Sequence, residues 1–107
     1  MKHIDIDTLA QVISQDLKQE FADYSGVYTY GSRTRDDAQE SSDYDMVFVF
    51  EHEPDWRQKQ KAREIVYQKE LEFDVVIDSH YYSRSKIEDI STPFREAVCT
   101  EGTYHAV

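Results

Sequence analysis

Three aspartates stand in apolar surroundings, where carboxylates are costly. Asp43 and Asp45 lie at the start of the run YDMVFVF at residues 44–50, and Asp74 stands alone between Phe73 and Val75. In a strand, side chains alternate with period two, so Asp43 and Asp45 share one face, one pleat apart. Two like charges at the lip of an apolar strand repel each other and resist desolvation. No Lys or Arg lies on that strand to offset them, which leaves a divalent cation as the compensating charge. Ligands that are all oxygen favour Mg²⁺, with Mn²⁺ as a substitute, over zinc. Should the strand of Asp74 neighbour theirs, three carboxylates can hold two ions roughly 3.5–4 Å apart, the arrangement that clamps attacking and leaving oxygens in phosphoryl transfer. A turn or a helix cap would account for one of these acids but not for all three. Asp78, four residues beyond Asp74 and on the same strand face, is the rival for the third position.

Gly31 and Ser32 offer the complementary chemistry. A glycine at a strand end lets backbone N–H groups approach a phosphate, and the serine adds a hydroxyl donor. Arg33 and Arg35 follow at once and can neutralise phosphate charge. A lone Gly-Ser pair marks an ordinary turn. Its weight here comes from the ten residues between Ser32 and Asp43, followed by Asp-x-Asp and then a further strand acid.

The elements that must position these residues follow from apolar spacing. Leu9, Val12, Ile13, Leu17 and Phe21 recur at three- and four-residue steps, predicting a helix over 7–21 with Asp7 as its cap. Gly26 breaks that pattern, and residues 27–30 read as a first strand ending at Gly31. Residues 32–40 read as a brief helix and loop. Residues 44–50 are so continuously apolar that a central strand covered on both faces is expected. Pro54 suits the first turn of a helix over 55–69, with Ala62, Ile65 and Val66 facing inward. Residues 73–77 (FDVVI) read as the next buried strand, followed by an exposed loop carrying Tyr81, Tyr82 and Ser83. Thr92-Pro93 opens a terminal helix that Gly102 ends, leaving 103–107 as a tail or edge strand. The order predicts an α/β architecture of the α+β type, helices packed on a small sheet, in a single domain over residues 1–107.

The run GSRTRDDAQESSDYD resembles the Gly-Ser-x10-Asp-x-Asp motif of the nucleotidyltransferases related to DNA polymerase beta. The small size and the ending PFREAVCTEG make the chain similar to their minimal nucleotidyltransferase (MNT) branch over nearly its whole length. The resemblance implies a small mixed sheet flanked by helices, with Asp43 and Asp45 binding two Mg²⁺. Asp74 would complete one metal site and help to deprotonate the accepting hydroxyl, and Gly31 and Ser32 would hold the β- and γ-phosphates of ATP as substrate. Arg35 matches an arginine common three places after the serine, whereas Arg33 falls at a variable position. Asp36 departs from the pattern, because glycine usually follows that arginine. The resemblance further implies an antitoxin that adenylylates a tyrosine of a HEPN-type toxin ribonuclease. The alternatives are a non-catalytic antitoxin that neutralises its partner by occlusion, and an aminoglycoside-type small-molecule enzyme whose missing acceptor pocket a homo-oligomer would have to supply.

Charge narrows the partners. Lys and Arg total 12 against 22 Asp and Glu, a net charge of −10. Such a surface repels nucleic acid and accommodates a basic protein or a small anion escorted by metal ions. The longest apolar run falls far short of the ~18 residues of a membrane span, and the N-terminus MKHIDIDTLA carries acids where a signal peptide carries positive charge, so a cytoplasmic location is expected. One cysteine, Cys99, precludes an internal disulfide and reads as a partly buried helix residue. The four histidines share no ligand spacing and take no predicted role.

Overall fold

Helix α1, Ile6–Glu20, is capped two residues earlier than the sequence suggests. The Asp5 carboxylate accepts the Thr8 N–H at 2.7 Å and caps the helix, and Asp7 lies inside the first turn. Leu9, Ile13 and Leu17 are fully buried along the predicted stripe. A computed structural model describes residues 4–30 and 44–107, so the brief helix expected over 32–40 lies outside the described residues.

Strands β1 (Tyr24–Tyr30) and β2 (Tyr44–Phe50) pair antiparallel. Helix α2 (Trp56–Phe73) then carries the chain to β3 (Ile77–Ser83), which lies parallel to β2. Two short helices, α3 (Arg84–Glu88) and α4 (Pro93–Glu101), lead to β4 (Thr103–Ala106), antiparallel to β1. Among the described residues the sheet order is β3-β2-β1-β4. The result is the mixed α/β fold the sequence predicts, a small mixed sheet flanked by helices.

β2 reads as continuously apolar because both of its faces are covered. Met46, Phe48 and Phe50 pack with Leu9, Ile13, Leu17, Ala62 and Val66 under α1 and α2. Val47 and Val49 face the other way, against Ile87 of α3 and Val98 of α4. Cys99 is half-buried in α4 and its thiol donates to Ile87 O at 3.2 Å, as a packing residue would.

Three expectations are overturned. Gly26 does not precede the first strand; it lies within β1, where a Cβ would stand 2.4 Å from His105 O and 2.7 Å from Tyr104 Oη. Residues 73–76 are not a strand, and only Ile77 of the expected run belongs to β3. α2 continues to Phe73, and Asp74 terminates it in the left-handed region at φ 56°, with Asp74 N and Val75 N both donating to Glu70 O. That is a Schellman-type ending, a task for which a short polar residue at positive φ serves in place of glycine. Tyr81, Tyr82 and Ser83 accordingly lie in β3 rather than in a loop, and Tyr81 stacks on Phe48 with ring centroids 5.5 Å apart.

Candidate functional site

The parallel register of β2 and β3 sets Asp45 directly opposite Asp78, and the antiparallel register of β1 and β2 sets Tyr30 opposite Asp45. Neighbouring strands lie about 4.8 Å apart, so the three residues form a row across the sheet with their side chains on one face. That face is the one carrying Val47 and Val49, and α3 and α4 cover its far end. Asp45 is half-buried, whereas the Asp78 side chain is 53% exposed. Their joint field is felt at Tyr30. Burial, followed by the charges of Asp45 and Asp78, pushes its phenol up to about 12. A phenolate there would be a third negative charge beside two carboxylates.

α4 supplies a wall beside this row. Thr92 caps the helix and Pro93 occupies its first position, which fixes Phe94 in the opening turn. Its ring meets Tyr30 edge-on at 5.9 Å and His80 at 4.8 Å. His80 follows Asp78 on the same face of β3, and its Nε2 lies 3.5 Å from Asp78 Oδ1. Tyr30, His80 and Phe94 were not singled out for this position by the sequence. The only available signal was the period-two spacing of Asp78 and His80, which shows nothing until residues 77–83 are known to be a strand.

Of the predicted site residues, Asp45 stands in the row. Asp74 does not: it is exposed at the end of α2, three residues before the first β2–β3 pair, Tyr44 with Ile77. The expectation that it sits on a strand beside Asp45 is therefore corrected, and Asp78 holds that place. Asp43, Gly31, Ser32, Arg33 and Arg35, with Asp36, lie outside the described residues. In the chain, Gly31 directly follows Tyr30 and Asp43 directly precedes Tyr44, the residues at which the described strands stop and resume at this end of the sheet.

Among the described residues no group of three His, Cys, Asp or Glu side chains is close enough to hold a metal ion. Two adjacent carboxylates on neighbouring strands nevertheless supply hard oxygen donors of the kind a divalent ion takes, and Asp43 is two residues from one of them. The donor set fits such an ion in part, with Asp45 and Asp78 as the contributing residues.

The small mixed sheet flanked by helices carries Asp45 and Asp78 at the second residue of each of two parallel strands. The nucleotidyltransferase domain family matches residues 10–103, and the chain belongs to it. The fold is shared with a crystal structure of a Sulfolobus solfataricus protein described provisionally as a nucleotidyltransferase. The two are 20% identical with a TM-score of 0.50, over 94% of this chain and 78% of that one. At that identity the likeness concerns the fold. No curated protein is a significant match to the chain. Family membership makes the chain a transferase domain of the nucleotidyl-transfer class.

Proposed function

We propose that this domain transfers AMP from ATP to a tyrosine hydroxyl of a partner protein, with Asp43, Asp45 and Asp78 as the metal-holding carboxylates. The observation that carries the reading is the register of β2 and β3, which sets Asp45 beside Asp78 and leaves Asp74 outside the sheet. Bound Mg²⁺ supplies charge neutralisation and alignment of the triphosphate. Gly31, Ser32, Arg33 and Arg35 bind the phosphates. Asp78, open to solvent, accepts the proton of the incoming hydroxyl as its oxygen bonds to the α-phosphorus and pyrophosphate departs.

Charge supports a metal-first order. Three carboxylates alone repel a triphosphate, whereas two divalent ions leave the loaded site with about one positive charge. ATP should therefore bind measurably by calorimetry with Mg²⁺ or Mn²⁺ and not in excess chelator; equal affinity in both would contradict the reading.

A net charge of −10 suits docking on a basic, RNA-binding surface, and a HEPN-type toxin fits that description, with this chain as its antitoxin. Incubating such a partner with ATP, Mg²⁺ and this protein should add the mass of one AMP to a tyrosine. A folded partner that gains no mass would end the enzymatic reading.

Asp36 favours one second reading, neutralisation by occlusion, because an acid stands beside Arg35 where the family pattern has glycine. An Asp43→Asn/Asp45→Asn double variant separates the two. Neutralisation retained in cells indicates occlusion, and neutralisation lost in a folded variant indicates catalysis.

A further inference from the structure

Strand β3 forms one edge of the sheet among the described residues. The hydrogen bond from Tyr44 N to Val76 O, 2.9 Å, fixes which of its backbone groups face β2. Backbone groups alternate along a strand, so those of Asp78, His80 and Tyr82 turn towards β2 and those of Ile77, Ser79, Tyr81 and Ser83 turn outwards. The chain's own acids close both ends of that outward row. Ile77 N donates to Glu70 Oε2 at 2.7 Å, and Ser83 N donates to Glu53 Oε1 at 3.1 Å. Ser79 and Tyr81, between them, have no backbone partner on this side among the described residues. Edge strands are commonly blunted by lysine, proline or a bulge. Here the blunting stops short of the centre.

α2 turns this open stretch into a groove. Arg63 and Ser79 line two adjoining recesses of about 310 and 240 Å³. The larger recess adds Tyr67 and Ile77, and the smaller adds Lys59 and Tyr81. Lys59 and Arg63 are exposed and make no ion pair among the described residues. Glu64 and Glu70 share the larger recess with Arg63, whereas the smaller is lined by both cations and by no acid, a local reversal of sign in a chain of net charge −10. Tyr67, 54% exposed, gives the other end an apolar surface, and Glu64 makes that end unfavourable for a second acid.

We propose that the centre of the β3 edge takes up an extended, acidic segment of a partner protein as an added strand. Its backbone pairs with Ser79 and Tyr81, its carboxylate meets Lys59 and Arg63, and an apolar side chain lies on Tyr67. Ladder hydrogen bonds supply affinity, and the cation pair selects the acidic segment over a basic one. The residues involved take no part in the nucleotidyl-transfer reading, so either can fail alone.

The test uses the whole chain and two octapeptides of alternating valine and threonine. One has two glutamates near one terminus, and the other has lysines in their place. The glutamate peptide should shift and protect from exchange the amides of Ser79 and Tyr81, and should bind at least about tenfold tighter than the lysine peptide. A Lys59→Glu/Arg63→Glu variant, altered only at exposed positions, should reverse that preference with an unchanged melting curve. Equal affinity for the two peptides, protection at other amides, or no binding up to roughly 1 mM overturns the proposal. Concentration-dependent protection of the same amides without peptide, with dimers in sedimentation, assigns the edge to a second copy instead and also overturns it.

Discussion

Replacing Asp45 or Asp78 by Asn keeps the shape of the side chain and removes one charge from the pair in register across β2 and β3. Each change should lower kcat/KM for AMP transfer by at least about 10²-fold, measured by pyrophosphate release, because the charge that holds a divalent ion is what is lost. Asp74 offers the contrast. Its left-handed φ of 56° is one that Asn and Gly also adopt, so Asp74→Asn should leave both activity and stability near wild type. Asp74→Val, forced into the same backbone, should cost about 1–2 kcal/mol by urea denaturation. An inactive but stable Asp74→Asn protein would restore Asp74 to the metal site. The tyrosines predict a response to alkali. Tyr30 is pushed up to about 12 and Tyr24 is also raised, chiefly by burial, from an ordinary value of 10.0. A phenol whose folded value lies above its unfolded one contributes fully below the unfolded value and loses that contribution as pH rises. The urea midpoint should therefore fall between pH 10 and 12, and a Tyr30→Phe variant should show a shallower fall.

At the scale of elements, the sequence was read best where burial is complete and worst where a strand is an edge. Residues 44–50 are apolar throughout because both faces of β2 are covered, and they form the predicted strand. β3, by contrast, reads IDSHYYS, with serines, an acid and a histidine that an edge strand tolerates. The apolar pair Val75-Val76 just before it starts the expected strand four residues too early, although those residues connect α2 to β3. The place of Asp45 at the start of β2 is thus legible, since it needs that strand alone. Asp78 could be ranked above Asp74 only once the end of α2 was known, and nothing local announces an aspartate that ends a helix in place of glycine. Gly26 was misread for a related reason: its purpose is contact with β4, distant in sequence. Gly26→Ala would drive a Cβ into His105 O and Tyr104 Oη. It should cost about 1–3 kcal/mol by denaturation and loosen β4, seen as faster exchange of the His105 and Val107 amides, which the register turns towards β1.

At the scale of the molecule, an acidic surface and a carboxylate site act in the same direction. On the proposed reading a net charge of −10 would repel polyanions and make a triphosphate depend on its metal escort, while Lys59 and Arg63 at the β3 edge make a local exception. The two sheet faces have separate cores, and the site lies at the end of the face with the smaller one, where α4 rather than a long helix borders it. From α2 to β3 runs the short link Asp74-Val75-Val76, and its length is a counted quantity. One extra residue there, with α2 and the sheet held in place, would bring Ile77 alongside Asp45 and rotate Asp78 to the face packed by α1 and α2. Transfer activity should vanish although every acid is still present, and a second added residue should return the aspartate to the correct side, one pair out of step. The chemistry of this domain is thereby set by arithmetic along the backbone as much as by the identity of any side chain.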